Sequence, residues 1–262
     1  MPHAAVVALA IVVGLVIGDW LEFPVTRLGA HDPMDRPWRR CSACAAASGR
    51  RSLVPLLDVS PRRSPCRACG QREPHPWRPA VLGILTAGLL GLFAARFGAD
   101  VALAPFAAFG VGLVALSAVD VERFIIPNRI VYPTLAIVAP LLLVASAADH
   151  RWGSLGRAAA GGALAFAAMF AVHFLYPKGM GFGDVRLSGL IGLATGWLGL
   201  GHVFVAFFAG FVLASVVGLG AGAVTGQGRH QRLPFGPFLA AGAVVTTVVG
   251  NPVVRVLFHH TA

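Results

Sequence analysis

Two aspartates are the residues whose surroundings most clearly suggest chemistry in this chain. Asp120 ends one long apolar stretch, with Pro127 and Asn128 at the start of the next, and Asp184 follows a glycine-rich loop. Asp and Glu together number only 11 of 262 residues, whereas hydrophobic residues make up 56%. Acidic side chains in apolar spans are costly and are functional candidates in membrane proteins. Asp120 and Asp184 are therefore candidate catalytic residues.

Two carboxyl groups a few ångströms apart could hydrolyse a peptide bond. One ionised carboxylate would take a proton from water, while the other, protonated, would polarise the carbonyl and donate to the leaving nitrogen. Repulsion between like charges prevents both groups from ionising at once. Taken singly, each residue also fits a plainer role, Asp120 as a helix-end carboxylate and Asp184 as a helix N-cap.

Glycines occupy alternate positions before Asp184, at Gly179, Gly181 and Gly183. Glycine permits unusual backbone dihedrals and close approach of another chain, which suits a loop that holds an extended peptide. A phosphate-binding interpretation is disfavoured because the Walker spacing is absent and no strand is predicted before the loop. His173, in the middle of the preceding span, is expected to pack or to hydrogen-bond between helices rather than act as a base.

All four cysteines lie in one loop, as two Cys-x-x-Cys pairs formed by Cys41, Cys44, Cys66 and Cys69. This pattern is typical of tetrahedral zinc, because each pair supplies two thiolates. Reduced thiols or two disulfides are the alternatives, and a cytoplasmic loop disfavours disulfides. Four cysteine ligands leave no open coordination position, so the expected zinc is structural.

Long apolar segments predict an all-α integral membrane protein. A spanning helix needs roughly 20 mainly apolar residues. The first apolar segment has no basic stretch before it and no clear cleavage site, so we expect it to be retained. The predicted domains are a first transmembrane helix at 1–21, a cytoplasmic zinc-binding loop at 22–79 and a peptidase helix bundle at 80–262. Hydropathy indicates about eight transmembrane helices, near residues 4–17, 80–97, 101–119, 130–148, 155–176, 185–199, 203–224 and 235–258.

Basic residues predict how the bundle is oriented. With the N-terminus outside, 17 of the 21 Lys and Arg residues fall in loops on the opposite side. The positive-inside rule assigns that side to the cytoplasm, so both aspartates and the cysteine loop are expected at the cytoplasmic face of the cell inner membrane. Topology and contact with anionic lipid account for the net charge of +10, and no nucleic-acid partner is expected.

In the order and spacing of these motifs, the chain resembles the prepilin leader peptidases, membrane aspartyl proteases of the GxGD type. The resemblance implies an eight-helix bundle with Asp120 and Asp184 as catalytic residues and a zinc loop at the cytoplasmic face. Members of the family cut a short basic leader from type IV pilin-like precursors, after a glycine. Besides the cysteine pairs, the matching residues are Asp120, Pro127 and Asn128 in the first catalytic motif, Gly181, Gly183 and Asp184 in the second, and Pro234, Gly236 and Pro237 before the last span.

Many members of that family also methylate the new N-terminus with S-adenosylmethionine, an activity associated with the N-terminal cytoplasmic region. This chain departs from the family pattern there. Asp19 and Glu22 stand in a segment that usually reads Gly-Ser-Phe-Leu-Asn, and Gly83 replaces a common glutamate. The resemblance therefore leaves methyl transfer open, whereas the peptidase motifs are intact.

Two other functions fit the same features. A proton-coupled transporter could use the aspartates as a relay, and a secretion-assembly protein could dock through the zinc loop. The sequence does not determine which precursor is cleaved, whether partner proteins are needed, or the oligomeric state.

Overall fold

The computed structural model describes residues 2–22, 25, 68–70, 77–177, 180–225 and 234–258. These residues form eight α-helices and no β-strand, which confirms the all-α prediction for this part of the chain. In chain order the helices are α1 (His3–Trp20), α2 (Arg78–Phe97), α3 (Leu103–Arg123), α4 (Asn128–Ala148), α5 (Trp152–Leu175), α6 (Phe182–Leu198), α7 (Leu200–Thr225) and α8 (Gly236–Phe258).

Six of the described helices, α1 to α5 and α7, are long and apolar enough to cross a membrane. Helix α6 has 17 residues, and the apolar part of α8 covers Gly236–Gly250, so both are shorter than a typical span of roughly 20 residues. The prediction of several membrane helices is confirmed, whereas the number eight stays a prediction. Most of the predicted zinc loop at 22–79 lies outside the described residues.

Aromatic side chains from three helices meet in the centre of the bundle. Phe106 of α3 is fully buried, and its ring centroid lies 6.1 Å from that of Phe93 in α2 and 6.1 Å from that of Trp197 in α6. It also stacks on Phe97, with 4.7 Å between the ring centroids. Edge-to-face and offset contacts of this kind stabilise aromatic clusters beyond the area that they bury. This cluster fixes α3, the helix that carries Asp120, against α2 and α6.

Three buried threonine hydroxyls bond to the backbone of their own helices. Thr86, Thr134 and Thr195 donate to the carbonyls four residues earlier at 2.7, 2.7 and 2.8 Å. In an apolar interior every polar group needs a partner, and a carbonyl one turn earlier is the nearest acceptor. These three hydroxyls are thus satisfied within the helices that carry them.

Helices α5 and α6 approach each other closely through glycines. A Cβ built on Gly161 of α5 would lie 2.6 Å from the carbonyl oxygen of Gly192 in α6. Small residues at such crossings let helix backbones pack tightly in membrane proteins. This contact fixes α6, whose first turn carries Asp184, firmly against α5.

The first two helices cross in a similar way. A Cβ on Gly18 of α1 would lie 2.7 Å from the Cα of Gly83 in α2, and the neighbouring Asp19 is buried. Gly83 therefore lies at the close crossing of α1 with α2. Near the start of α2, Arg78 forms a 2.6 Å ion pair with Glu122, two residues after Asp120.

Candidate active site

Asp120 lies in the last turn of α3 and is only 5% exposed. Its carboxylate accepts a hydrogen bond of 2.9 Å from the backbone N–H of Gly236, the first residue of α8. The first N–H groups of a helix have no partner within the helix, and the helix N-terminus attracts negative charge. The start of α8 therefore supplies the partner that a buried carboxylate needs.

The chain leaves α3 abruptly after Asp120. Phe124 has a φ of 55°, in the left-handed region, and its N–H donates to the carbonyl of Asp120 at 2.8 Å. A bulky residue rarely adopts this conformation, and such outliers cluster at functional sites. The turn reverses the chain so that Pro127 caps α4 and Asn128 begins it. Ile126, between the turn and α4, is thereby directed towards the site.

Asp184 is the third residue of α6, and Gly181 is the N-cap. The backbone N–H of Asp184 donates to the carbonyl of Gly181 at 3.1 Å. The plainer interpretation of Asp184 as the N-cap is therefore wrong, because the helix begins earlier. A carboxylate within the first turn still benefits from the helix dipole.

Ile126 is the point at which the two aspartate segments and the start of α8 meet. A Cβ on Gly183 would lie 2.7 Å from the Cβ of Ile126, and one on Gly236 would lie 2.8 Å from Oδ2 of Asp120 and 3.3 Å from Cδ1 of Ile126. Neither Gly181 nor Gly183 has a positive φ. Gly183 is thus required for close packing rather than for an unusual dihedral, which corrects one of the two reasons considered for Gly181 and Gly183. Gly179 lies outside the described residues.

The two carboxyl groups influence each other electrostatically. Asp184 lies outside the six candidate spans, and burial together with the nearby negative charge of Asp120 raises the pKa of Asp184 to about 7. A backbone hydrogen bond from Gly181 opposes this rise. Like charges held close together prevent joint ionisation, so near neutral pH the pair holds a proton readily.

Arg186 connects the two aspartate motifs. Its guanidinium donates a hydrogen bond to Oδ1 of Asn128 and lies over the ring of Phe182, 4.4 Å from the ring centroid. The bond joins the first turn of α4 to the second turn of α6. Asn128, predicted as an active-site loop residue, therefore helps to hold the two segments in register.

His173 holds the loop that leads to Asp184. It lies in the last turn of α5 rather than in mid-span, and its Nδ1 donates to the carbonyl of Met180 at 2.8 Å. Its ring also packs against Phe182, with 5.5 Å between the ring centroids. The expected packing and hydrogen-bonding role is correct, but the partner is a loop carbonyl and not another helix. Helix periodicity gave no signal of this contact.

The remaining predicted residues are found at the ends of helices or outside the described residues. Pro237 is the second residue of α8, where a proline needs no N–H, and Pro234 precedes that helix. Of the four cysteines only Cys69 is described, and it is exposed. Sequence reasoning missed Phe124, Met180 and Arg186, whereas Ile126 stands in the first catalytic motif beside Pro127 and Asn128. The φ of Phe124 has no sequence signature, whereas the proximity of Arg186 to Asp184 in the motif was a usable signal.

This arrangement provides the groups that hydrolysis of an amide by two acids needs. Each carboxyl group has a backbone hydrogen bond, from Gly236 to Asp120 and from Gly181 to Asp184, and Asp184 retains a proton near neutrality. When the environments of two carboxyl groups move their pKa values apart, one group can be assigned as the acid and the other as the base.

Comparison with known proteins also points to hydrolysis of a peptide bond. The model of the type IV leader peptidase family matches residues 107–219, which include both aspartates. A prepilin leader peptidase/N-methyltransferase of Burkholderia pseudomallei (strain 1026b) is 31% identical, over 96% of this chain and 88% of that protein. The protein of the same name from Bacillus subtilis (strain 168) is 28% identical, over 94% of this chain and 96% of that protein.

A third relative of that name, from Stutzerimonas stutzeri, is 28% identical over 95% of this chain and 92% of its own length. No solved structure matches the chain. The similarity to these proteins extends through the helices that carry Asp120, Asp184 and Gly236. This chain is a multi-pass membrane protein that belongs to the type IV leader peptidase family.

Proposed function

We propose that this chain is an aspartyl endopeptidase that removes the leader from type IV pilin-like precursors at the cytoplasmic face of the inner membrane. The observation that carries the proposal is the buried Asp120 carboxylate, bonded to the N–H of Gly236 beside a second acid whose pKa is raised to about 7. The names of the relatives support the substrate class. The excess of basic residues in loops on one side supports the orientation.

In the proposed mechanism, Asp120 acts as the general base and Asp184 as the general acid. Asp120 takes a proton from a water molecule as that water attacks the scissile carbonyl, while the protonated Asp184 donates a hydrogen bond to the carbonyl oxygen. The Asp184 proton then passes to the leaving nitrogen. Collapse of the tetrahedral intermediate gives the leader's carboxylic acid and a free amine, and the proton of that acid passes to the amine. Transfer of the proton held by Asp120 to Asp184 returns the pair to its starting state.

The position of the site suits a substrate that lies in the bilayer. Asp120 is at the end of a candidate span and Asp184 is in the first turn of a short helix. An apolar precursor helix would therefore remain in lipid while the extended junction before it reached the acids. No deep soluble cleft is needed for this presentation.

Methyl transfer is the second activity in the names of the relatives. In this chain the position of the common glutamate is Gly83, which packs against Gly18 of α1. The buried carboxylate in this region belongs instead to Asp19, on the facing helix. Because of this departure, we confine the proposed function to the peptidase. Adding S-adenosylmethionine to the cleavage assay and measuring the mass of the new N-terminus tests for the second activity.

Replacing either aspartate by asparagine tests the dyad. We expect Asp120→Asn and Asp184→Asn each to lower kcat for cleavage of a pilin-like precursor at least about 100-fold, because general acid–base catalysis contributes about 10²–10⁴. Purified variants in detergent would be assayed by mass spectrometry of the cut product. Asp149→Asn is the matched control, since Asp149 pairs with Arg151 in a different loop. Full activity in either dyad variant would disprove the assignment.

The pH dependence of cleavage tests the assignment of Asp184 as the acid. Because the pKa of Asp184 is raised to about 7, the proton is present below this pH and is lost above it. We expect kcat to fall about tenfold per pH unit on the alkaline side, with an apparent pKa near 7 that belongs to the pair. A kcat that stayed constant up to pH 9 would contradict the proposal.

Adding a methyl group at the close contacts tests the geometry. We expect Gly183→Ala to displace the Ile126 segment and Gly236→Ala to displace the Asp120 carboxylate, with kcat reduced up to about 100-fold for a shift near 1 Å. Gly88→Ala is the matched control, because a Cβ there meets no atom within 4 Å. Unchanged kcat in both site variants would show that the close contacts are unimportant.

For the cysteines we propose a structural zinc site. Cys69 is exposed and accessible for coordination, while Cys41, Cys44 and Cys66 lie outside the described residues. Elemental analysis of the purified protein should give one zinc per chain, and Cys44→Ser with Cys66→Ser should abolish it and make the loop sensitive to trypsin. Ser42→Ala, between two cysteines, is the control. Unchanged zinc content in the double variant would refute the site.

A further inference from the structure

A groove lies on the lipid-facing side of the bundle, on the face of α6 that is turned away from Asp184. It is a cavity of about 380 Å³ between α4, α5 and α6, within the range of about 300–1,000 Å³ typical of ligand pockets. Its lining is apolar apart from Tyr132 and Arg186. Tyr132 is 51% exposed and Phe166 is 39% exposed, so the groove opens towards the surrounding bilayer.

The groove has the length of one lipid chain in one leaflet. Along α6 its lining extends from Phe182 to Leu193, which at 1.5 Å per residue is roughly 16 Å. This is about half of the ~30 Å hydrocarbon core of a bilayer. Gly162 and Gly189 line the groove without side chains, so they leave it deep at these positions. An empty apolar groove would forfeit dispersion contacts along its whole lining, and a flexible acyl chain can restore them.

The polar end of the groove carries a cation with neutral partners. Arg186 bonds to the amide oxygen of Asn128 and packs on the rings of Phe182 and Tyr132, 4.4 and 6.0 Å from their centroids. Among the residues that the structure describes, no carboxylate forms an ion pair with it. Charged groups at membrane depth normally pair with an opposite charge. Within the described part of the chain, Arg186 therefore presents a charge without an ion-pair partner at the end of an apolar channel.

We propose that this groove binds an anionic phospholipid, with one acyl chain along α6 and the phosphate on Arg186. Basic pockets between membrane helices on the cytoplasmic side recognise lipid head groups in this way. The combination of a cation at one end and an apolar channel one leaflet long matches an anionic amphiphile. It does not match an uncharged helix, which would leave Arg186 without a counter-charge. The inference does not depend on the proposed peptidase activity.

Lipid titration followed by native mass spectrometry tests the site. Delipidated protein in detergent would be titrated with phosphatidylglycerol or with phosphatidylcholine of the same acyl chains. Wild type should bind one phosphatidylglycerol more tightly than phosphatidylcholine. Arg186→Gln should lose this preference, with affinity for phosphatidylglycerol reduced about fivefold, whereas Arg186→Lys should keep it.

Filling the groove tests the acyl-chain part of the site. The double variant Ala159→Leu with Ala163→Leu places bulk on two exposed lining positions of α5 and should lose tight binding of both lipids. Ala168→Leu is the matched control, because it makes the same change at an exposed position on the opposite face of α5. Helical circular dichroism and monodisperse elution would establish that each variant is folded. If the double variant does not fold, the Gln and Lys variants of Arg186 decide the matter.

Three outcomes would overturn the proposal. Phosphatidylglycerol binding that is unchanged in the groove-filled protein would place the lipid elsewhere, and a preference retained in Arg186→Gln would exclude this residue as the head-group partner. Stoichiometric displacement of the lipid by a pilin-like precursor would assign the groove to the substrate helix instead. Cleavage of a short soluble junction peptide, measured in parallel, keeps these results separate from any failure of the peptidase proposal.

Discussion

The burial of the Asp120 carboxyl group is the constraint on which the rest of the site depends. A carboxylate that is 95% shielded from solvent is unstable unless donors face it. Gly236 provides one such donor from the start of α8, where a helix has N–H groups with no other partner. Helix α8 is therefore part of the candidate active site as much as α3 and α6, although it contributes no acidic side chain.

Close packing then determines how near the acids lie. Ile126 lies against Gly183 on one side and Gly236 on the other. The short segment after Asp120 therefore sets the distance between the N-termini of α6 and α8. The tight crossing at Gly161 and Gly192 fixes α6 against α5. The turn at Phe124, with its positive φ, is the local strain that this arrangement requires. Its cost, of order 1–3 kcal/mol, must be offset by the packing around it.

Much of this architecture could be anticipated from the sequence, because apolar stretches of sufficient length can only be helices in a membrane. Asp120 and Asp184 were identifiable because acidic residues are scarce and each lies at the boundary of a span. The bond from Gly236 could not be anticipated, since it joins residues 116 positions apart and involves a backbone N–H. The contact of His173 with Met180 was missed for a similar reason. Its acceptor is a backbone carbonyl, which every residue type carries, so the sequence does not indicate it. The zinc loop stays a prediction, as three of its cysteines lie outside the described residues.

The great separation along the chain between Asp120 and its backbone donor has a consequence for biosynthesis. A ribosome must translate a further 116 residues after Asp120 before Gly236 exists, so during insertion through the translocon the Asp120 carboxyl lacks this partner. A neutral acid enters lipid far more easily than an ion, which costs roughly 2.5–3.5 kcal/mol at the centre of a span. The nascent chain would thus carry Asp120 into the membrane in its protonated form. The bond to Gly236 would form only when α8 docks, so a chain that ended before α8 would leave the Asp120 carboxyl without this donor.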